Sequence, residues 1–329
     1  MKTIAKAKLP LVLELLAKEY KVLVPAKFEG VTRFTPYQQD VELALEENVI
    51  MPPKDIFFPQ TEKMYKFKAK DKSLEIEEYP LEDAMQIIFG IRSCDMKSID
   101  CLDQVFLTKS YVDPYYKNKR DRSILVALSC IEPMDSCFCT SMGIDPQKAV
   151  GADIQAYDLG DKIGFEAISD VGKEILEKIS SLLTEEEVTL PAVGEFNLNA
   201  DVEGVPEKLK EMFDHPIWDD ISRKCLNCSA CAYVCPTCHC FDIANEVRGE
   251  DGVKIRCWDC CMFDEYTMMA GGHQPRPGKK ERVRNRFLHK LRYFPERYDM
   301  LLCTGCGRCV VKCPVNMDIT SIIRQIKNA

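Results

Sequence analysis

Apolar positions along the chain fall into two rhythms. Near the start, Leu9, Val12, Leu13 and Leu16 recur at helical spacing, which predicts an amphipathic helix with one buried face. Further on come two short unbroken apolar runs, Ile87-Ile88-Phe89-Gly90-Ile91 and Ile124-Leu125-Val126-Ala127-Leu128. Runs this short and this apolar read as strands covered on both faces, as in a parallel sheet. Beyond about residue 200 the rhythm turns helical. Leu209, Met212 and Phe213 share one side, then Val283, Phe287, Leu288 and Leu291, then Ile319, Ile322, Ile323 and Ile326. The expected architecture is α+β: an N-terminal α/β domain over residues 1–205, followed by a mainly helical domain over 206–329.

Size and charge agree with two domains. A chain of 329 residues gives each half enough material to bury its own core. The net charge of −8 argues against nucleic acid as a partner, since such binders carry a basic footprint. No stretch reaches the roughly 18 uninterrupted apolar residues that span a bilayer, so no membrane partner is expected. Lys2, Lys6 and Lys8 before Leu9–Leu16 superficially imitate a secretion signal. Glu14 interrupts that apolar run and no small-residue cleavage site follows, so the expected location is the cytoplasm.

Eighteen cysteines in a reducing compartment mean metal ligation rather than disulfides. Two runs carry the same spacing: Cys225-x2-Cys228-x2-Cys231-x3-Cys235-Pro236, and Cys303-x2-Cys306-x2-Cys309-x3-Cys313-Pro314. This is the bacterial ferredoxin pattern for a cubane [4Fe–4S] cluster. Three cysteines two residues apart wrap a tight loop around the cluster. The fourth points away and serves the other cluster when two runs share a domain. Cys225, Cys228, Cys231 and Cys313 are therefore expected at one cluster, and Cys303, Cys306, Cys309 and Cys235 at the second. Structural zinc needs only paired knuckles and has no use for the third cysteine or the Cys-Pro ending.

Cys94 and Cys130 each follow one of the two apolar runs, which sets them at the carboxyl ends of parallel strands, where open α/β sheets bind ligands. With Cys137 and Cys139 in the loop that follows, four thiols can converge on a third [4Fe–4S] cluster. Against this, buried cysteine often acts as a small hydrophobe, the reading preferred for Cys101. A last group, Cys238, Cys240, Cys257, Cys260 and Cys261, either lies beside the first cubane or ligates additional metal. His239, between Cys238 and Cys240, is the one histidine placed to join it, whereas His215, His273 and His289 read as surface or hydrogen-bonded groups. The basic stretch 276–292 reads mostly as a solvated helix face, with cations near anionic clusters as its functional side.

The chain has no G-x-G-x-x-G after a strand, no Walker A loop and no G-x-S-x-G elbow. Clusters without a nicotinamide or substrate motif point to electron passage between partners. The second hypothesis is a catalytic disulfide-reducing subunit that uses a cluster at the extra cysteines.

Five stretches carry a family resemblance: FGIRSCD (89–95), LSCIEPMDSCFCTSMG (128–143), CPTCHCFDIANE (235–246), WDCCMFDEYTMMAGGHQPRP (258–277) and RVRNRFLHKLRYFPERY (282–298). Together they resemble the iron–sulfur subunit shared by anaerobic sulfite reductases and cytosolic sulfhydrogenases (the beta subunit of the latter), with relatives beside heterodisulfide reductases. The resemblance runs from about residue 20 to the end. It implies an electron conduit fed by a flavoprotein NAD(P)H-oxidoreductase subunit, which holds the FAD and NAD(P)H, and emptied by a catalytic reductase or hydrogenase subunit. The sequence departs from the family pattern at Cys260, where serine is usual, and at Cys257 and Cys101, which are additions.

Overall fold

The computed structural model describes residues 1–109 and 111–329. In chain order the strands are β1 (Lys2–Ala5), β2 (Lys21–Phe28), β3 (Val31–Pro36), β4 (Thr61–Lys70), β5 (Ser73–Glu78) and β6 (Gln86–Ile91). They continue with β7 (Ser123–Leu128), β8 (Ile154–Asp158), β9 (Lys162–Ala167), β10 (Thr184–Glu185), β11 (Phe241–Arg248) and β12 (Asp251–Trp258). An eight-stranded sheet takes the order β10-β1-β9-β8-β7-β6-β2-β3. Its centre, β2-β6-β7-β8, is parallel and its flanks are antiparallel.

Every residue of β6 and β7 is buried, as expected for strands sandwiched between two layers. Alternation divides their side chains. Ile87, Phe89, Ile124, Val126 and Leu128 face one core, which the helix Leu9–Leu16 closes with Leu9, Val12, Leu13 and Leu16. Ile88, Ile91, Leu125 and Ala127 face the other, where the helix Ser93–Leu107 contributes Met96, Ile99, Leu102 and Phe106. Both strands end at cysteines. Cys94 lies in the first turn of the Ser93–Leu107 helix, and Cys130, Cys137 and Cys139 occupy the chain after β7. That is the carboxyl edge of the parallel strands.

A second sheet, β11-β12-β4-β5, is antiparallel throughout and joins residues 61–78 to residues 241–258. Buried Arg256 on β12 ion-pairs with Glu62 on β4 and with Asp113, pinning the two halves of the chain together. The segment between the cysteine runs therefore holds a hairpin as well as the expected helix, found at Lys279–Leu288. Mainly helical is too narrow a description of the C-terminal part. The hairpin left little hydrophobic trace because no residue of β11 is buried.

The helix anticipated around Leu209, Met212 and Phe213 is also interrupted. One turn, Val205–Lys208, precedes it, and Ile217–Arg223 starts anew after Pro216. Leu209 and Met212 stay in the core, while Phe213 turns outward under the Arg284 guanidinium at 3.7 Å. The C-terminal helix Ile319–Asn328 buries Ile319, Ile322, Ile323 and Ile326 as its spacing predicts. None of the described helices is long and apolar enough to cross a membrane.

Candidate metal centre

The two cysteine runs fold alike. Asn227 and Ser229 in the first, and Gly305 and Gly307 in the second, occupy equivalent places and all take positive φ, between 55° and 72°. These left-handed residues bend each loop inward before a single helical turn, Ala230–Tyr233 or Arg308–Val311. One hollow, about 500 Å³ with its open mouth included, is lined by Cys225, Cys228, Cys231 and Cys313. Another, about 310 Å³ on the same measure, is lined by Cys235, Cys303, Cys306 and Cys309. The last cysteine of each run crosses to the hollow of the other.

A third hollow, about 430 Å³, lies at the carboxyl edge of β6 and β7 and is lined by Cys94, Cys130, Cys137 and Cys139. Cys306 lines it too, from the second run. The two regions meet backbone to backbone. Phe138 N–H donates to Gly305 O at 2.8 Å. A Cβ at Gly305 would stand 2.6 Å from Cys139 Cα, and one at Gly307 would stand 2.3 Å from Ser136 O. Glycine is required at both positions by contact with the N-terminal loop as well as by φ.

These residues fit iron–sulfur groups. Each hollow presents at least four soft sulfur donors spaced around a space larger than an ion. Among the described residues, no cluster of three or more His, Cys, Asp or Glu side chains is arranged to hold a single metal ion. Burial pushes the thiols up, Cys137 and Cys303 to about 11 and Cys139 and Cys309 to about 12. They are protonated when free, so iron loading expels their protons. Cys235 departs from the pattern. A hydrogen bond from Cys238 holds its thiol well below the ordinary range, and the Lys290 cation adds to the effect.

Buried cations complete the setting, and those from 276–292 answer to the smaller, functional side of the sequence reading, cations near the clusters. Arg286 and Lys290 are one helical turn apart, yet they point inward rather than into solvent. Arg286 lines the first hollow, its Nε has no hydrogen-bond partner among the described residues, and the sulfurs of Cys231 and Cys309 act most strongly to hold its charge. Lys290 Nζ donates to Cys235 Sγ at 3.2 Å, Thr237 Oγ1 at 3.1 Å and Leu302 O at 3.3 Å. Lys290 belongs to a π-helical stretch, His289–Tyr293, of the kind that often marks functional places. Arg308 forms a bidentate pair with Asp95 at 2.6 and 2.7 Å and donates to Asn48 Oδ1. Asn48 in turn donates to Cys94 Sγ at 3.7 Å. Arg282 is buried as well and pairs with Asp264, while Lys280 pairs with Asp219 and Arg292 with Glu296 nearer the surface.

The extra cysteines separate. Cys257 stands apart on β12, opposite Asp242, with Sγ 3.9 Å from Asp242 O. Cys260 and Cys261 are buried in the C-terminal core, and Cys238 and Cys240 pack against it. Tyr266 packs against the same core. His239 and His289 stack edge to face with ring centroids 5.3 Å apart, and burial lowers them to about 4 and about 3. His289 is thus an enclosed neutral ring rather than a surface group. Cys101, wholly buried against Phe294 and Leu302, is a packing residue.

The 4Fe-4S dicluster domain family matches residues 224–317, which span both cysteine runs. Over 318 residues the chain is 30% identical to the sulfhydrogenase 2 subunit beta of Pyrococcus furiosus, covering 93% of this chain and 92% of that one. No solved structure matches.

Proposed function

Because the chain belongs to the iron–sulfur subunit family that sulfhydrogenase beta subunits share with anaerobic sulfite reductases, we propose that it is the electron-transfer subunit of a hydrogenase-type complex. It takes electrons from, or returns them to, a flavin- and NAD(P)H-binding partner, and its other contact is a catalytic reductase or hydrogenase subunit. Cys225, Cys228, Cys231 and Cys313 hold one [4Fe–4S] group, Cys235, Cys303, Cys306 and Cys309 the second, and Cys94, Cys130, Cys137 and Cys139 a third. When bound, each group supplies a one-electron couple, with a potential somewhere in the window of roughly −700 to +450 mV open to such clusters.

The observation that carries this reading is the row of four-cysteine hollows. Cys306 lines both the N-terminal hollow and the one fed by its own run, so these two are neighbours. Arg286, on the wall of the first-run hollow, faces a cysteine from each run, Cys231 and Cys309. The first-run end opens to solvent at exposed Cys228 and Leu226. The N-terminal end opens at exposed Glu46 and Glu132. Two separate mouths with a buried middle suit a conductor between two partners. The chain's own residues position the sulfurs, exclude water from the middle site and supply buried positive charge to offset the electrons stored.

Metal analysis of anaerobically purified protein tests the assignment. About twelve irons per chain are expected for three cubanes, with a paramagnetic signal after dithionite reduction. Zinc as the dominant metal, or a colourless protein, would overturn it.

A further inference from the structure

The first-run hollow reaches the surface through a positively charged mouth in an otherwise acidic chain. Neither cysteine run, 225–236 nor 303–314, contains an acidic residue, against a net charge of −8 for the whole protein. Lys224 precedes Cys225 and Lys312 precedes Cys313, two of the four cysteines on that hollow, and both lysines are exposed. Lys279 joins them, donating from Nζ to Arg223 O at 2.9 Å, two residues before Cys225. The neighbouring carboxylates are already engaged. Asp220 pairs with Arg223, and Asp219 with Lys280. Asp318, beside the wall residue Met317, turns back to accept from the Thr320 N–H and hydroxyl, both at 2.8 Å. What stays uncompensated at this mouth is positive charge, set around exposed Cys228 and around Leu226, which is 64% exposed.

The N-terminal mouth has the opposite sign. Glu46 and Glu132 line it, and both are exposed. Lys6, 3.8 Å from Glu46, is held more closely by Asp158 at 2.9 Å. Arg92 is buried and donates to the carbonyls of Leu45 and Ser129. The two ends of the row of hollows therefore face solvent with unlike charge.

Building on the proposed relay, on which this inference rests, we propose that the first-run mouth is the docking surface for an acidic face of the partner subunit that exchanges electrons there, with Leu226 as the apolar anchor. Charges of one sign around an exposed site steer a complementary surface and fix its orientation, and a central apolar contact holds it once docked. One electron crosses in each encounter, lost by one group and gained by the other, and no bond is made or broken. The same acidic face is repelled at the N-terminal mouth, so the two ends of the relay are not interchangeable. An extended anionic surface, such as nucleic acid or a lipid bilayer, also meets the acidic remainder of the chain, whereas a partner face of limited size does not.

The test compares the anaerobically purified complex with the iron-loaded full chain alone. A zero-length carbodiimide joins lysine amines to carboxylates in contact with them, and peptide mass spectrometry identifies the joined pair. Lys224 or Lys312 is expected to be joined to an Asp or Glu of another subunit. Both lysines are expected to resist acetylation in the complex and to react in the free chain. Equal acetylation in the two forms overturns the docking surface, and protection without a carboxylate cross-link overturns its acidic partner. On the dithionite-reduced chain alone, the anion hexacyanoferrate(III) serves as the probe. Lys224→Glu with Lys312→Glu is expected to slow its reduction by about tenfold or more at low salt, with iron content kept and the deficit shrinking as salt rises. An unchanged rate, or a deficit that ignores salt, overturns the electrostatic role. A chain without iron from the outset fails the relay reading instead.

Discussion

Lys290 Nζ donates a hydrogen bond of 3.2 Å to Cys235 Sγ from a fully enclosed position. A cation there favours whichever cluster state carries more negative charge, which is the reduced one. Replacing Lys290 with methionine keeps most of the stem and deletes the charge. The midpoint potential of the middle cluster is then expected to fall by on the order of 60 mV, which is tenfold in a one-electron equilibrium. Paramagnetic resonance followed through a dye-mediated titration measures it. An unmoved potential with normal iron content would show that Lys290 only packs.

The N-terminal thiols make a prediction of composition. Cys137→Ser and Cys139→Ser are each expected to lower the iron count by about four, since loss of one ligand labilises a cubane. Gly305→Ala extends the test without touching a ligand, because its Cβ would stand 2.6 Å from Cys139 Cα. It is expected to disturb the N-terminal cluster as well as its own. Unchanged iron in all three variants would reduce Cys137 and Cys139 to ordinary loop residues.

How much of this was legible in the sequence depends on whether the signal was local. The cysteine runs declare themselves because one loop must meet one cluster at fixed spacing. The Leu9–Leu16 helix and the buried strands β6 and β7 are likewise written in short periodic patterns. Lys290, Arg286 and Arg308 were not legible as buried groups, because what turns each inward is a partner far along the chain. Arg308 reaches Asp95, more than 200 residues away. Basic residues on a helix look alike in a sequence whether they face water or a sulfur. The β11–β12 hairpin escaped because no residue of Phe241–Arg248 is buried, which leaves little hydrophobic pressure on that strand. The pairing of Gly305 with Cys139 has a sequence trace only in hindsight: the second run uses glycine where the first uses Asn227 and Ser229 in the same conformation.

The Arg308–Asp95 pair ties the second cysteine run to the Ser93–Leu107 helix, and both side chains are almost completely buried. Removing one member leaves an unpaired charge in the interior, a loss of about 3–5 kcal/mol. Arg308→Met is therefore expected to lower the unfolding midpoint by roughly 6–20 °C, at about 2–4 °C per kcal/mol for a domain of this class. Asp95→Leu should do the same. The double variant should lose clearly less than the sum, because neither charge is then stranded. Strict additivity would mean that the two side chains act independently.

Arg286 also couples cluster loading to stability, with a sign that can be reversed. In the loaded protein it lies beside cluster sulfur, and its burial is compensated. Strip the iron, and Cys309 takes up a proton because burial pushes it up to about 12, whereas Cys235, held well below the ordinary range, keeps its negative charge beside Lys290. Arg286 then remains enclosed with less opposing charge, at a cost of several kcal/mol for an uncompensated ion. Arg286→Met should therefore destabilise the loaded chain yet stabilise the chelator-stripped one, while Lys290→Met destabilises both. Anaerobic chemical unfolding of both forms, wild type against each variant, measures the difference. If Arg286→Met loses stability equally in the two forms, this cation is not matched to the clusters, and the electrostatic account of this site fails.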